Sequence, residues 1–279
     1  MTWSRHSGKV IEEMKYTKIT SATNQHIKDI IQIREKRAKF RHMAFLIEGP
    51  HLVEMALNAA VQIKEAFATE AFINTKEHQG MLKKITGTVF EVSGQVMNKI
   101  TDTGTPQGIV AVVGYEPATL DTLPLKATPL LVVLDTIQDP GNLGTIIRTA
   151  DAADADAVVL LPGSCDVFMP KVIRATAGSI FNLPLIYADP DTLVAWLCKK
   201  KIQLAVTAVD AGKTVFEADL SGNIAIAFGN EAHGVSDRLR KAADLFLNIP
   251  IYGKAESLNV ASSAAICLYE IVRQKIVHQ

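Results

Sequence analysis

Cysteine is scarce and unpatterned. Cys165, Cys198 and Cys267 form an odd set without CxxC spacing, which argues against a disulfide framework and against a structural zinc site. Net charge is missing too: 29 Lys and Arg stand against 29 Asp and Glu. That balance argues against binding a polyanion by bulk charge and leaves a local basic patch open. No apolar run is long enough to span a bilayer, and the opening MTWSRHSGKVIEEM lacks a signal-peptide core, so a cytosolic protein is expected. Neither GxGxxG nor GxxxxGK[ST] occurs, which removes the usual signatures of dinucleotide and nucleoside-triphosphate binding. Internal repeats and low-complexity tracts are also lacking.

What is present is an ordinary globular chain of 279 residues, 48% hydrophobic and 21% charged, enough for one large domain or two of common size. Residues 1–15 show no period and read as a loose extension. Over 16–115, the strand-like runs AFLI (44–47), IKEAFAT (63–69), GTVFEV (87–92) and GIVAVVGY (108–115) alternate with helical ones at 50–60, 76–85 and 93–100. This alternation predicts a small α/β domain. Ahead of it, 24–43 reads as a helix with Ile27, Ile30, Ile31 and Arg34 at helical spacing. It carries six basic residues (Lys28, Arg34, Lys36, Arg37, Lys39, Arg41) against Asp29 and Glu35. Such a face is either simply solvated or contacts phosphate.

Residues 116–128 read as a proline-containing linker, and from 129 a stronger pattern runs to 279. Apolar runs at 130–135, 157–161, 184–187, 202–209, 224–228 and 245–250 are separated by helical stretches. Continuous apolar strands between helices predict a parallel sheet covered on both faces. Three glycine-containing loops follow strands here: DPGNLGTIIRTADAADA (139–155), FGNEAHG (228–234) and YGKAESLN (252–259). Turn glycines explain each singly, but three in series at strand ends predict a ligand site. In the helix after the first loop, Leu143, Ile146, Ile147, Ala150 and Ala153 share a stripe, which leaves Arg148 pointing outward. The last helix is apolar around more than half its surface, with Val260, Ala264, Leu268, Ile271 and Val272 widened by Ala261, Ala265 and Ile266. It therefore calls for neighbours on two sides.

Three stretches of this half carry a family resemblance: D-x-x-x-D-P-G-N-x-G-x-x-x-R-T-A-D-A, F-G-N-E-x-x-G-x-S and I-P-I-x-G-x-x-x-S-L-N-V-A-x-x-A-A-I-x-L-Y-E. In order and spacing they resemble the motifs of the SpoU/TrmH RNA ribose 2′-O-methyltransferases of the SPOUT superfamily. FLIEGPHLVEMAL (45–57) resembles, less completely, the substrate-binding domain of the ribosomal-RNA members. The resemblance implies a C-terminal parallel-sheet SPOUT domain with a deep trefoil knot, preceded by a small α/β RNA-binding domain. It also implies S-adenosyl-L-methionine as cofactor, no metal, and a homodimer formed through the C-terminal domain. Gly229, Ile249 and Leu258 match the family's cofactor-binding positions, and Asn142, Arg148, Glu231, Ser257 and Asn259 its catalytic and substrate-positioning ones. The visible departure is Ala232, where many members have Gly.

The residue types suit transfer of a methyl group to a ribose hydroxyl, which needs two groups aligned and one proton removed. Arginine stays protonated, so Arg148 is better placed to clamp an RNA phosphate bidentately than to accept that proton. His233 is another candidate base by its intrinsic pKa, although a loop histidine is commonly incidental, and Asn142 is equally suited to cap its helix. The expected substrate is 23S ribosomal RNA, because tRNA-directed relatives typically lack the extra N-terminal domain. A tRNA substrate and a non-catalytic RNA-binding protein of the same fold are the alternatives. A nucleotide-dependent dehydrogenase is disfavoured by the missing GxGxxG.

Overall fold

A computed structural model describes residues 16–35, 43–230 and 232–277. The expected extension at 1–15 lies outside the described residues, as do Lys36, Arg37, Lys39 and Arg41 of the basic helix.

The first half forms a five-stranded mixed sheet from β1 (Thr17–Ile19), β2 (Ala44–Glu48), β3 (Ile63–Thr69), β4 (Thr88–Val92) and β5 (Ile109–Gly114), in the order β1-β4-β3-β5-β2. Alternate side chains of β5 serve opposite faces, as strand geometry requires. Val110 and Val112 pack with Ile27, Ile30 and Ile33 of α1 (Gln25–Arg34), whereas Ile109, Ala111 and Val113 pack with Leu52, Val53 and Ala56 of α2 (Pro50–Asn58). The short helices α3 (Glu70–Asn74), α4 (Lys76–Leu82) and α5 (Gly94–Ile100) complete the unit.

Helix α1 corrects part of the sequence reading. Ile33, not Ile31 or Arg34, completes the buried stripe. The Arg34 guanidinium instead donates to the carbonyl of Thr101 at 2.7 Å, at the C-terminal end of α5. An arginine held on those unpaired carbonyls satisfies them and faces the negative end of the helix dipole. Arg34 is thus committed inside the fold, while Lys28 is exposed.

The second half forms a six-stranded sheet from β6 (Leu130–Leu134), β7 (Ala157–Leu160), β8 (Leu185–Tyr187), β9 (Gln203–Thr207), β10 (Ile224–Phe228) and β11 (Leu245–Leu247). The order is β11-β9-β10-β6-β7-β8, and every pairing is parallel. Helices α6 (Pro140–Ala152), α7 (Pro170–Thr176) and α10 (Val260–Val277) lie on one face. The opposite face carries α8 (Pro190–Lys200) and α9 (Asp237–Ala242). Leu130, Val132 and Leu134 point to the first layer and Leu131 and Val133 to the second, so β6 reads as a continuous apolar run.

The segment 116–128, expected as a linker, packs against the second sheet. Leu120 and Leu123 are buried in the second layer, and Ala118 bridges to Ile186 of β8. The two sheets also meet through aromatic contacts: the Phe45 ring stacks on Phe168 with centroids 4.7 Å apart, and Tyr115 meets the same ring edge-on at 4.5 Å. Beside them, Arg174 pairs with Asp102 at 3.2 Å. No helix among the described residues is long and apolar enough to cross a membrane.

Candidate active site

The end of β6 and the end of β10 are held together by motif side chains. Asp135 is buried, and its Oδ2 accepts the N–H of Ser236 at 2.7 Å while Oδ1 accepts the Thr136 hydroxyl at 3.1 Å. Asn230 makes the reciprocal tie by donating from Nδ2 to the carbonyl of Thr136 at 3.2 Å. Its Oδ1 accepts from the N–H groups of Ala232 at 2.9 Å and His233 at 3.2 Å, folding the loop back on itself. Ala232, the departure from the family pattern, is exposed in this loop.

Two glycines are fixed by close approach. A Cβ on Gly229 would stand 2.1 Å from the backbone carbon of Gly234 and 2.2 Å from the nitrogen of Val235. That approach is closed by paired hydrogen bonds between Asn230 and Gly234, at 3.0 and 2.8 Å. A Cβ on Gly144 would stand 2.5 Å from that of Ala175, where α6 packs against α7. Close backbone contact of this kind is where glycine is required.

The start of α6 departs from one expectation. Its N-cap is Asp139, not Asn142: the Asp139 carboxylate accepts the N–H of Asn142 at 2.8 Å, and Pro140 fills the first turn. That backbone bond, helped by Lys171 at 3.7 Å, holds the Asp139 carboxyl below the usual carboxylate range. The Asn142 side chain reaches across the chain instead, where its Oδ1 accepts from Asn259 Nδ2 at 3.0 Å. Asn259 at the same time caps α10, accepting from Ala261 N at 2.9 Å and Ser262 N at 3.3 Å. One hydrogen bond thus joins the first and third motifs, 117 residues apart.

A cleft of about 480 Å³ opens between these loops. Gly229, Ile249, Ser257, Leu258 and Asn259, all singled out in the sequence, line it together. Asn142 reaches it through Asn259, whereas Arg148 is exposed on α6 and is not part of the wall. Glu231 lies outside the described residues. Sequence reading missed the carboxyl end of β9 and the segment after it, where Thr207, Ala208, Val209 and Asp210 form a wall, and missed Asn248 and Arg240. The position of 207–210 at the carboxyl end of a parallel strand was the available signal. Asn248 is bonded on both backbone sides, donating to Lys213 O at 3.0 Å and accepting from Val215 N at 2.8 Å. Its side-chain Oδ1 is buried with no hydrogen-bond partner among the described residues, the kind of group a bound ligand or water satisfies.

Residues 24–111 match the MRM3-like substrate binding domain, and residues 129–269 match the SpoU rRNA Methylase family. The chain is 38% identical to the 23S rRNA (guanosine(2553)-2′-O)-methyltransferase RlmP of Bacillus subtilis, over 91% of this chain and 98% of the relative. Among solved structures, the AdoMet-bound rRNA methyltransferase from Sinorhizobium meliloti superposes with a TM-score of 0.83 at 32% identity, covering 92% of this chain and 98% of that one. The SpoU methyltransferase AviRb from Streptomyces viridochromogenes, in complex with AdoMet, gives a TM-score of 0.85 at 28% identity, covering 91% and 98%. With two of its motif loops lining one cleft, the first bonded to them through Asn142, and both of its halves matched, the chain belongs to the SpoU rRNA methylase family.

Proposed function

We propose that this protein methylates a ribose 2′-hydroxyl of 23S ribosomal RNA, using S-adenosylmethionine, as a cytoplasmic homodimer. The observation that carries the reading is that the second and third motifs line one cleft and the first is tied to it by the Asn259–Asn142 hydrogen bond at 3.0 Å. RlmP bears the matching activity in its name, and two neighbouring structures contain AdoMet.

The residues present fit the cofactor. The cleft volume of about 480 Å³ lies in the range of about 300–1,000 Å³ common for small-molecule sites. Its wall is apolar at Ile249 and Leu258, close to bare backbone at Gly229, and offers Asn248 Oδ1, an acceptor without a partner among the described residues. When bound, S-adenosylmethionine supplies an electrophilic methyl group on a sulfonium. Gly229, Ile249 and Leu258 would hold it, chiefly through backbone. Ser257, Asn259 and Asn142 present a hydroxyl and two amides beside the same space, suited to orienting an incoming ribose hydroxyl. Glu231 belongs to the same proposed set through its motif position.

Arg148 takes a different part. It lies six residues along α6 from Asn142, about 9 Å at helical rise, with its side chain in solvent. A permanently charged, planar donor there suits an RNA phosphate. The outer side of α10 keeps Tyr269, Ile276 and Val277 exposed at 52%, 66% and 68%, an apolar surface for a second copy. Such a copy would also enclose the RNA against Arg148. The knotted threading that the family resemblance implies belongs to the same reading.

Arg148→Ala tests this division of labour. Methyl transfer to 23S ribosomal RNA should be abolished, while cofactor affinity by calorimetry stays within about twofold, because an exposed side chain outside the wall contributes little to the cleft. Equal loss of both would make the arginine structural, and transfer to tRNA alone would refute the ribosomal substrate.

A further inference from the structure

The cleft contains one opposite-charge pair that the motifs do not account for. Among the described residues of its wall, Asp210 and Arg240 are the side chains of full charge, and Arg240 Nη2 approaches Asp210 Oδ2 at 3.4 Å. Asp210 follows the carboxyl end of β9, which lies beside β10, and β10 delivers Gly229. Arg240 comes from α9 and is steadied by the Phe246 ring, with its guanidinium carbon 5.3 Å from the ring centroid. Asn142 lies in the first turn of α6, which follows β6 on the other side of β10, and Asn259 is bonded to it from the start of α10. The charged pair therefore lies on the β9 side of β10, and Asn142 on the β6 side.

We infer that Asp210, oriented by Arg240, is a cofactor-specificity residue that accepts hydrogen bonds from the ribose hydroxyls of the bound S-adenosyl cofactor. The inference rests on the cofactor reading above and adds a contact to it. A vicinal diol offers two donors, and a carboxylate offers two acceptor oxygens with spare lone pairs. Arg240 touches one of these oxygens through one nitrogen, which leaves acceptor capacity on both. The pair is close to neutral as a unit, so it favours an uncharged diol over the cationic amino group at the other end of the cofactor. Dinucleotide-binding α/β folds place an acid in the same relation, past the strand next to the glycine-bearing one, and it binds a ribose hydroxyl. The present chain reaches that arrangement without GxGxxG.

Calorimetry on the full-length protein tests this without any turnover. The ligands are S-adenosylhomocysteine, its 2′,3′-dideoxy analogue, and 5′-methylthioadenosine, which keeps the diol and lacks the amino-acid part. Asp210→Ala should weaken S-adenosylhomocysteine and methylthioadenosine by about tenfold each, the worth of hydrogen bonds to an exposed carboxylate. It should leave the dideoxy analogue, already weak, unchanged. Arg240→Gln should show the same pattern with a smaller factor, about threefold. Parallel loss for all three ligands would make Asp210 structural, and loss confined to S-adenosylhomocysteine would place the amino-acid part there; either overturns the inference. Should the unaltered protein bind none of the three, the cofactor reading itself fails, and the inference with it.

Discussion

Gly229→Ala is the smallest change that strikes the loop proposed to hold the cofactor. Adding one methyl group puts a carbon 2.1 Å from Gly234 C, 2.2 Å from Gly234 O and 2.2 Å from Val235 N. An ordinary van der Waals contact needs more than a further ångström. All three atoms belong to backbone, so no rotamer change relieves the clash. The strand side cannot yield, because Phe228 is fully buried and pairs with Leu134 of β6. The loop side can yield, since Ala232, His233 and Gly234 are exposed. Moving it separates Asn230 from Gly234 and breaks the hydrogen bonds at 3.0 and 2.8 Å, at about 1 kcal/mol net each. The expected loss is therefore about 2 kcal/mol, read as a shift in urea midpoint at constant m. It should come with at least tenfold weaker S-adenosylmethionine binding by calorimetry. An unchanged midpoint with unchanged affinity would refute the role assigned to this approach. A large stability loss with affinity preserved would show that the strand, not the loop, gives way.

Gly144→Ala sets two effects against each other. Replacing a helical glycine gains up to about 1 kcal/mol in propensity, yet the new methyl would stand 2.5 Å from Ala175 Cβ and 2.7 Å from Val172 O, and overpacking costs about 1–3 kcal/mol. A net loss of about 1 kcal/mol in urea unfolding is expected, and a net gain would show that α7 shifts freely. For Glu270, buried and held by Arg273 at 2.7 and 2.8 Å, the guanidinium keeps the carboxyl below its usual range. A lowered folded-state pKa stabilises above the unfolded carboxylate value of about 4.3 and loses that effect as pH falls through the folded value. Glu270→Gln should thus cost about 1 kcal/mol at pH 7, with the gap to the unaltered protein closing toward pH 3; a gap that is constant with pH would mean the ion pair is inert.

Strand existence and the parallel sheet were legible because β6, β7, β9 and β10 are apolar on both faces, a pattern that burial alone produces. The stripe Leu143, Ile146, Ile147 and Ala150 was equally plain, and all four residues are buried. Strand β1 was invisible, since three residues, Thr17–Ile19, carry no period. The segment 116–128 looked free because its prolines break any pattern, although Leu120 and Leu123 are anchored in the core. At the site, glycine loops flagged 228–234 and 252–259, but nothing local flags 207–210, which enters the cleft only through strand order. Asn142 shows the limit of local rules: its type suits a cap, but Asp139 takes that place and frees it for Asn259. Arg34 makes the same point, a surface cation by sequence and a helix-end donor in the fold.

The product of this enzyme is a ribose 2′-O-methyl mark on 23S ribosomal RNA. Mapping 2′-O-methylation across all ribosomal RNA from cells with and without this protein addresses it directly. One 23S position should lose its mark without the protein and regain it with the unaltered chain but not with Arg148→Ala. Unchanged ribosomal RNA, with a mark lost from tRNA or from no RNA, would contradict it.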